Sequence, residues 1–66
     1  MDANRPLPKL DTRWEWCVRS FKDGRLMLET VHGHETGKNM EVEAIKRTGR
    51  TAKVYRRTKT GWELQP

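Results

Sequence analysis

The sequence predicts a small all-β domain built as a meander of five short antiparallel strands. Apolar and polar side chains alternate in several short runs, which is the pattern of a strand with one buried face. Turn-forming residues separate these runs, and the Asp23-Gly24 pair between two of them is a strong signal for a β-hairpin. The 66 residues leave room for one domain with a modest core.

The N-terminal residues differ from the rest of the chain. Residues 1–11 contain Pro6 and Pro8 and have neither a helical nor a strand period. Because proline fixes its φ angle and lacks an amide donor, we expect residues 1–11 to form a disordered arm. The folded β domain is expected over residues 12–66.

The first predicted hairpin begins with a run rich in tryptophan and β-branched residues, which favours a strand. Alternation divides its side chains between an inward face, with Trp14, Trp16 and Val18, and an outward face, with Glu15, Cys17, Arg19 and Phe21. After the Asp23-Gly24 turn, the second strand covers Arg25–His32. It adds Leu26 and Leu28 to the inward face.

The segment Asn39–Arg47 is compatible with either a strand or a helix. As a strand it alternates well and turns Met40, Val42 and Ala44 inward. As a helix it has an untidy apolar face and barely two turns, and isolated helices that short are weak in water. We therefore predict a strand here and no helix longer than one turn. The alternative is an α+β fold with a short helix at about 39–47.

The last predicted hairpin covers Thr51–Leu64. Ala52 and Val54 alternate with polar neighbours, and the same spacing resumes in Trp62-Glu63-Leu64. The short link between the two runs contains Gly61. Period-two spacing on both sides of a link with glycine indicates a hairpin.

These five strands carry one apolar stripe, and the sequence predicts no helix to cover it. A flat sheet would leave the stripe in water, so we expect the sheet to curl toward an SH3-like barrel or to pair with a second copy as a homodimer. If the sheet stayed open, its tryptophans would form an exposed aromatic platform. The expected inward residues are Trp14, Trp16, Val18, Leu26, Leu28, Met40, Val42, Ala44, Val54, Trp62 and Leu64.

The charge pattern favours a polyanionic partner. The formal net charge is +5, and the segment from Lys46 to Lys59 has seven basic residues, no acidic one and a tyrosine. Cations neutralise phosphates and exposed rings stack on bases, so this segment predicts binding of DNA or RNA, mainly through the phosphate backbone and with a regulatory role. The predicted binding residues are Lys46, Arg47, Arg50, Lys53, Tyr55, Arg56, Arg57 and Lys59.

Two other interpretations of these features stay open. Lysine and arginine on strands also serve solubility and prevent edge-to-edge aggregation. A chain too short to cover its tryptophans well also suits a non-enzymatic protein-interaction module or inhibitor, of the kind that phages and plasmids use as regulators. Such a module would dock through a sheet edge or an aromatic face.

No pattern in the sequence favours catalysis, a metal or a cofactor, and we expect none of them. Cys17 is the only cysteine, which excludes an internal disulfide and favours a reducing, cytoplasmic setting. Acidic neighbours would raise its pKa rather than activate it as a nucleophile. The run His32-Gly33-His34-Glu35 matches no usual zinc spacing, so a polar loop is expected. No apolar run approaches the roughly 18 residues of a membrane span, so no membrane partner is expected.

Overall fold

The computed structural model describes residues 5–66, which form a four-stranded antiparallel sheet with one helix on one of its faces. The elements, in chain order, are β1 (Trp16–Lys22), β2 (Arg25–His32), α1 (Glu35–Arg47), β3 (Thr51–Arg57) and β4 (Trp62–Leu64). The strands lie in the order β2-β1-β3-β4. β1 is therefore an interior strand, with β2 on one side and β3 on the other. The helix α1 connects the edge strand β2 to β3.

The β1–β2 hairpin is confirmed, and its turn has the geometry that the Asp-Gly pair favours. Asp23 and Gly24 both have positive φ angles, 53° and 77°. Two consecutive positive φ angles are the mark of the type I′ turn, whose twist matches that of the flanking strands. The turn places Lys22 directly opposite Arg25.

The β3–β4 hairpin is confirmed as well. Arg57 pairs with Trp62 across a link of residues 58–61. The Thr58 amide donates to the Gly61 carbonyl at 2.7 Å, and the Gly61 amide donates to Thr58 Oγ1 at 3.1 Å. These bonds close the link and fix the register of the short strand β4.

The predicted strand at Asn39–Arg47 is wrong, because this segment is helical. α1 begins at Glu35 and has 13 residues, so it is longer than the two turns considered from the sequence. Packing against the sheet supplies stability that a short isolated helix lacks. The α+β alternative with a short helix is therefore closer to the structure, and the expectation of no helix beyond one turn fails.

The curled five-stranded barrel is also not observed. Within residues 5–66 the sheet has four strands and is not a closed barrel. The physical reason is that α1 covers one face of the sheet, so that face does not depend on curling for its burial. The β-rich, antiparallel character of the prediction is confirmed.

The helix packs on the sheet face that carries Trp16. The Nζ atom of Lys38 lies 4.4 Å from the centroid of the Trp16 ring, and Ile45 is buried. A Cβ atom on Gly37 would lie only 3.2 Å from His32 Nδ1, so glycine permits the close approach of helix and strand. Helical spacing leaves Met40 69% exposed, contrary to its predicted inward position, and Ala44 is likewise exposed.

The helix ends in a Schellman motif formed by the Thr48-Gly49-Arg50 turn. The Arg50 amide donates to the Ile45 carbonyl at 3.3 Å, and the Gly49 amide donates to the Lys46 carbonyl at 3.1 Å. Gly49 has a φ of 77°, which is the left-handed conformation that this motif requires. The turn leads directly into β3.

Residues 5–10, which we call the docked arm, lie against the other face of the sheet. The carbonyl of Pro6 accepts a hydrogen bond from Arg19 Nη2 at 2.8 Å, and that of Pro8 accepts one from Trp62 Nε1 at 2.9 Å. Beneath this face, Cys17 and Arg19 are 0% and 2% exposed, although alternation placed both outward. β1 is therefore buried on both faces.

Two further expectations concern this second face. Trp62 and Leu64 were expected to share one face with Val54, but they pair with Arg57 and Tyr55 and so lie on the face opposite α1. The predicted disorder of residues 1–11 stays a prediction. Residues 1–4 lie outside the described residues.

Candidate nucleic-acid interface

The eight residues predicted to bind nucleic acid do not form one surface. β3 alternates its side chains between the two faces of the sheet, so Arg56 lies on the α1 face, while its neighbours in the sequence lie on the other. Lys53 lies within β3 as well, and the other predicted residues lie beyond the two ends of the strand. The helix end and its turn carry Lys46, Arg47 and Arg50; the face opposite α1 carries Lys53, Tyr55 and Arg57; the β3–β4 link carries Lys59.

Two of the predicted arginines are held by the same carboxylate. Glu15 Oε1 lies 3.2 Å from Arg56 Nη2, and Glu15 Oε2 lies 3.7 Å from Arg57 Nη2. Arg56 also lies 5.0 Å from the centroid of the Trp16 ring, and Arg57 Nε donates to the Trp14 carbonyl at 2.9 Å. These contacts give both arginines a structural role at the start of β1.

Lys53 and Tyr55 lie on the face opposite α1. Lys53 Nζ is 5.1 Å from the centroid of the Phe21 ring. Tyr55 pairs with Cys17 on one side and with Leu64 on the other, and its side chain is half-buried. The tyrosine is therefore a less accessible stacking platform than an outward ring on a bare sheet would be.

The fold assembles a different cluster of cations, which we call the basic end: Lys22, Arg25, Lys46, Arg47 and Arg50. Lys22 lies opposite Arg25 at the tip of the first hairpin. The adjacent pair between Phe21 and Thr51 brings Arg50 to the same end of the sheet. The Schellman bonds hold the last turn of α1 beside Arg50.

Most cations of the basic end have no acidic partner. Among the described residues, Lys22, Arg25, Lys46 and Arg50 form no ion pair. Arg47 Nη2 lies 3.5 Å from Glu43 Oε2, but both side chains are more than two thirds exposed, and exposed pairs of this kind contribute little. Two carboxylates also lie at this end, Asp23 in the hairpin turn and Glu43 beside Arg47, so the five cations leave it with an excess of positive charge.

Lys22 and Arg25 were absent from the residues predicted from the sequence. Each lies beside the Asp23-Gly24 turn and far in sequence from the basic segment Lys46–Lys59. The confirmed hairpin signal was enough to place them opposite each other. Their proximity to Arg50 depended on β1 pairing with β3, which the sequence did not indicate.

At the opposite end of the sheet, which we call the paired end, most cations have a carboxylate partner. Besides the pairs of Glu15, Asp11 Oδ2 lies 2.8 Å from Arg13 Nη2, and Lys38 Nζ lies 4.0 Å from Glu35 Oε2. Hydrogen bonds from the Arg13 side chain, followed by that from its backbone amide, lower the pKa of Asp11 to about 2. The cations named here thus have carboxylate partners, whereas Lys59, in the β3–β4 link at the same end, forms no ion pair among the described residues.

The geometry gives little support to a catalytic cysteine or to a metal site. Burial first, and then the charge of Glu29, raise the pKa of the Cys17 thiol to about 11, which disfavours the thiolate that a nucleophile needs. His32 Nε2 lies 3.0 Å from Thr30 Oγ1 and faces α1, whereas His34 is exposed at the start of the helix. In the described part of the chain, no group of three or more metal-binding side chains is placed to hold an ion.

Comparison with known proteins found no matching family model, no matching curated protein and no matching solved structure. The helix found in residues 5–66 lacks the length and apolar character needed to cross a membrane.

Proposed function

We propose that this protein binds nucleic acid through the basic end, mainly by contacts to phosphates. The observation that carries the proposal is the set of cations without partners: Lys22, Arg25, Lys46 and Arg50. Two of them come from a hairpin tip, one from a helix end and one from the turn that follows the helix. Each cation without a partner can neutralise a phosphate of the nucleic-acid backbone.

The arrangement favours binding of the backbone over reading of bases. Phe21 is the ring nearest to the basic end along β1, and it is only 7% exposed. Stacking on bases requires an accessible ring, and base readout requires side chains that reach base edges in a groove. We therefore expect similar affinity for nucleic acids of different sequence.

The salt dependence of binding tests this proposal. If four cations contact phosphates of duplex DNA, the slope of log K against log salt is about −3.6. Affinity for a mixed-sequence duplex then falls by about 150-fold between 50 and 200 mM salt. Absence of binding at low salt, or binding that ignores salt, would contradict the proposal.

Two double variants separate the basic end from general positive charge. Lys22→Gln with Lys46→Gln removes two cations of the basic end, and we expect the slope to fall to about half. Lys9→Gln with Lys59→Gln removes the same charge from exposed lysines elsewhere, namely the docked arm and the β3–β4 link. This control variant should bind nearly as well as the unaltered protein. Equal losses in both variants would assign binding to net charge alone.

A further inference from the structure

The docked arm occupies the sheet as a bound peptide would. The main-chain carbonyls of Pro6 and Pro8 accept hydrogen bonds from side chains of the sheet. The donors are Arg19 Nη2 on the interior strand β1 and Trp62 Nε1 on the edge strand β4. The arm therefore crosses from the middle of the sheet to one edge.

The chemistry of this contact selects an extended backbone that contains proline. Proline has no amide hydrogen and a fixed φ angle, and it also drives the preceding residue to an extended conformation. Arg5 and Leu7 each precede a proline, so the segment is biased toward extension before it docks. An indole N–H that donates to a carbonyl of such a segment is a common feature of grooves that bind proline-rich peptides.

The groove is built into the fold. Arg19 is 2% exposed, and its guanidinium is also held by Glu29, so this donor has a fixed direction. Trp62 is half-buried and fixed by its register opposite Arg57. Cys17, two residues before Arg19 on the same face, is fully buried.

We propose that this face is a docking groove for an extended, proline-containing segment of a partner protein, and that the chain's own residues 5–10 occupy it in cis. The partner segment enters by displacing the docked arm and offers carbonyls to Arg19 and Trp62 as Pro6 and Pro8 do. This site is separate from the basic end and does not depend on nucleic-acid binding.

Cys17 lies on the same face of β1 as Arg19, so we use the reactivity of its thiol to report whether this face is covered. A full-length Pro6→Gly, Pro8→Gly variant keeps every residue of the groove but makes the arm more flexible, which should weaken its docking by roughly tenfold. We expect the Cys17 thiol of this variant to react faster with a maleimide than that of the unaltered protein. Far-UV circular dichroism checks that the sheet and α1 remain folded.

A synthetic capped hexapeptide with the sequence of residues 5–10 serves as the ligand. Added to the glycine variant, it should slow the thiol reaction in a saturable manner. The same hexapeptide with glycine at both proline positions should protect at least fivefold less well. Adding Trp62→Phe, which removes the indole donor but keeps a ring, should also weaken protection.

Three results would overturn the proposal. The first is a thiol rate that does not change when the arm is loosened in a folded variant. The second is an absence of protection by the hexapeptide at millimolar concentration, where it matches the effective concentration of a short tethered segment. The third is formation of a dimer by exchange of arms without binding of added peptide, because the groove would then serve a second copy and not a partner.

Discussion

The two ends of the sheet use similar side chains for different purposes. At the paired end, Glu15 holds Arg56 and Arg57, and Asp11 holds Arg13. At the basic end, Lys22, Arg25, Lys46 and Arg50 have no carboxylate partner among the described residues. A cation with a partner helps to fix the chain, whereas a cation without one repels its neighbours and remains available for a phosphate. The comparison shows that a carboxylate partner, more than a place in a basic run of the sequence, distinguishes a cation that stabilises the fold from one that is available to bind phosphate.

Removing Trp16 should give the largest effect, because this ring organises the paired end. It is 7% exposed and lies between Lys38 and Arg56. We expect Trp16→Ala to lower the free energy of unfolding by about 3–5 kcal/mol, measured by urea denaturation. Leu28→Ala is the control near the basic end. Leu28 is 50% exposed, so its loss should cost about 1 kcal/mol or less. If both substitutions lowered the free energy of unfolding by similar amounts, the claim that Trp16 organises the paired end would be contradicted.

A pair of arginine substitutions separates stability from binding. Arg57→Gln removes the hydrogen bond to the Trp14 carbonyl and the contact with Glu15. We expect it to lower the free energy of unfolding by about 1–2 kcal/mol while leaving affinity for DNA nearly unchanged. Arg50→Gln should do the reverse, with a stability change within about 0.5 kcal/mol and weaker binding of DNA. Urea denaturation measures the stability of each variant, and a DNA titration measures its affinity. Weaker DNA binding by Arg57→Gln together with lower stability of Arg50→Gln would contradict the prediction.

The smallest expected effect is a loss of stability at low pH, and it should arise from Asp11 at the paired end. The folded pKa of Asp11 is lowered from 3.8 to about 2. A lowered pKa contributes stability that is fully present above the unfolded pKa and is lost as pH falls through the folded one. We therefore expect the contribution of Asp11 to disappear as pH falls from about 4 to below 2. In Arg13→Gln, an NMR titration should show the pKa of Asp11 moving back toward its usual value. An unchanged pKa would mean that Arg13 is not the cause.

The hairpins were predictable because their signals are local. Asp23-Gly24 specifies a tight turn by its own backbone preferences, and Gly61 marks the second link. The helix was missed because its sheet-facing positions include Gly37 and Glu41, so the apolar period is interrupted. The N-cap residue, His34, makes no side-chain hydrogen bond to the first turn, so the usual start signal of a helix is missing. The stop signal, basic residues followed by Gly49, was present but was interpreted as a turn between strands.

The binding surface was only partly predictable, because it depends on strand order. A run of basic residues in the sequence is divided by the alternation of β3 and by the carboxylate of Glu15. Lys22 and Arg25 join Arg50 only because β1 pairs with both β2 and β3. The burial of Arg19 was missed for a related reason. The docked arm contacts Arg19 on a face that alternation alone assigns to solvent.

Lysine acetylation of the unaltered protein, with and without a mixed-sequence DNA duplex at low salt, tests the central claim most directly. Lys9, Lys22, Lys46 and Lys59 are all exposed, so each reacts in the free protein and mass spectrometry reports all four in one sample. We predict that bound DNA protects Lys22 and Lys46 and leaves Lys9 and Lys59 as reactive as before. Protection of Lys9 and Lys59 with no protection of Lys22 and Lys46, or equal protection of all four, would contradict the assignment of binding to the basic end.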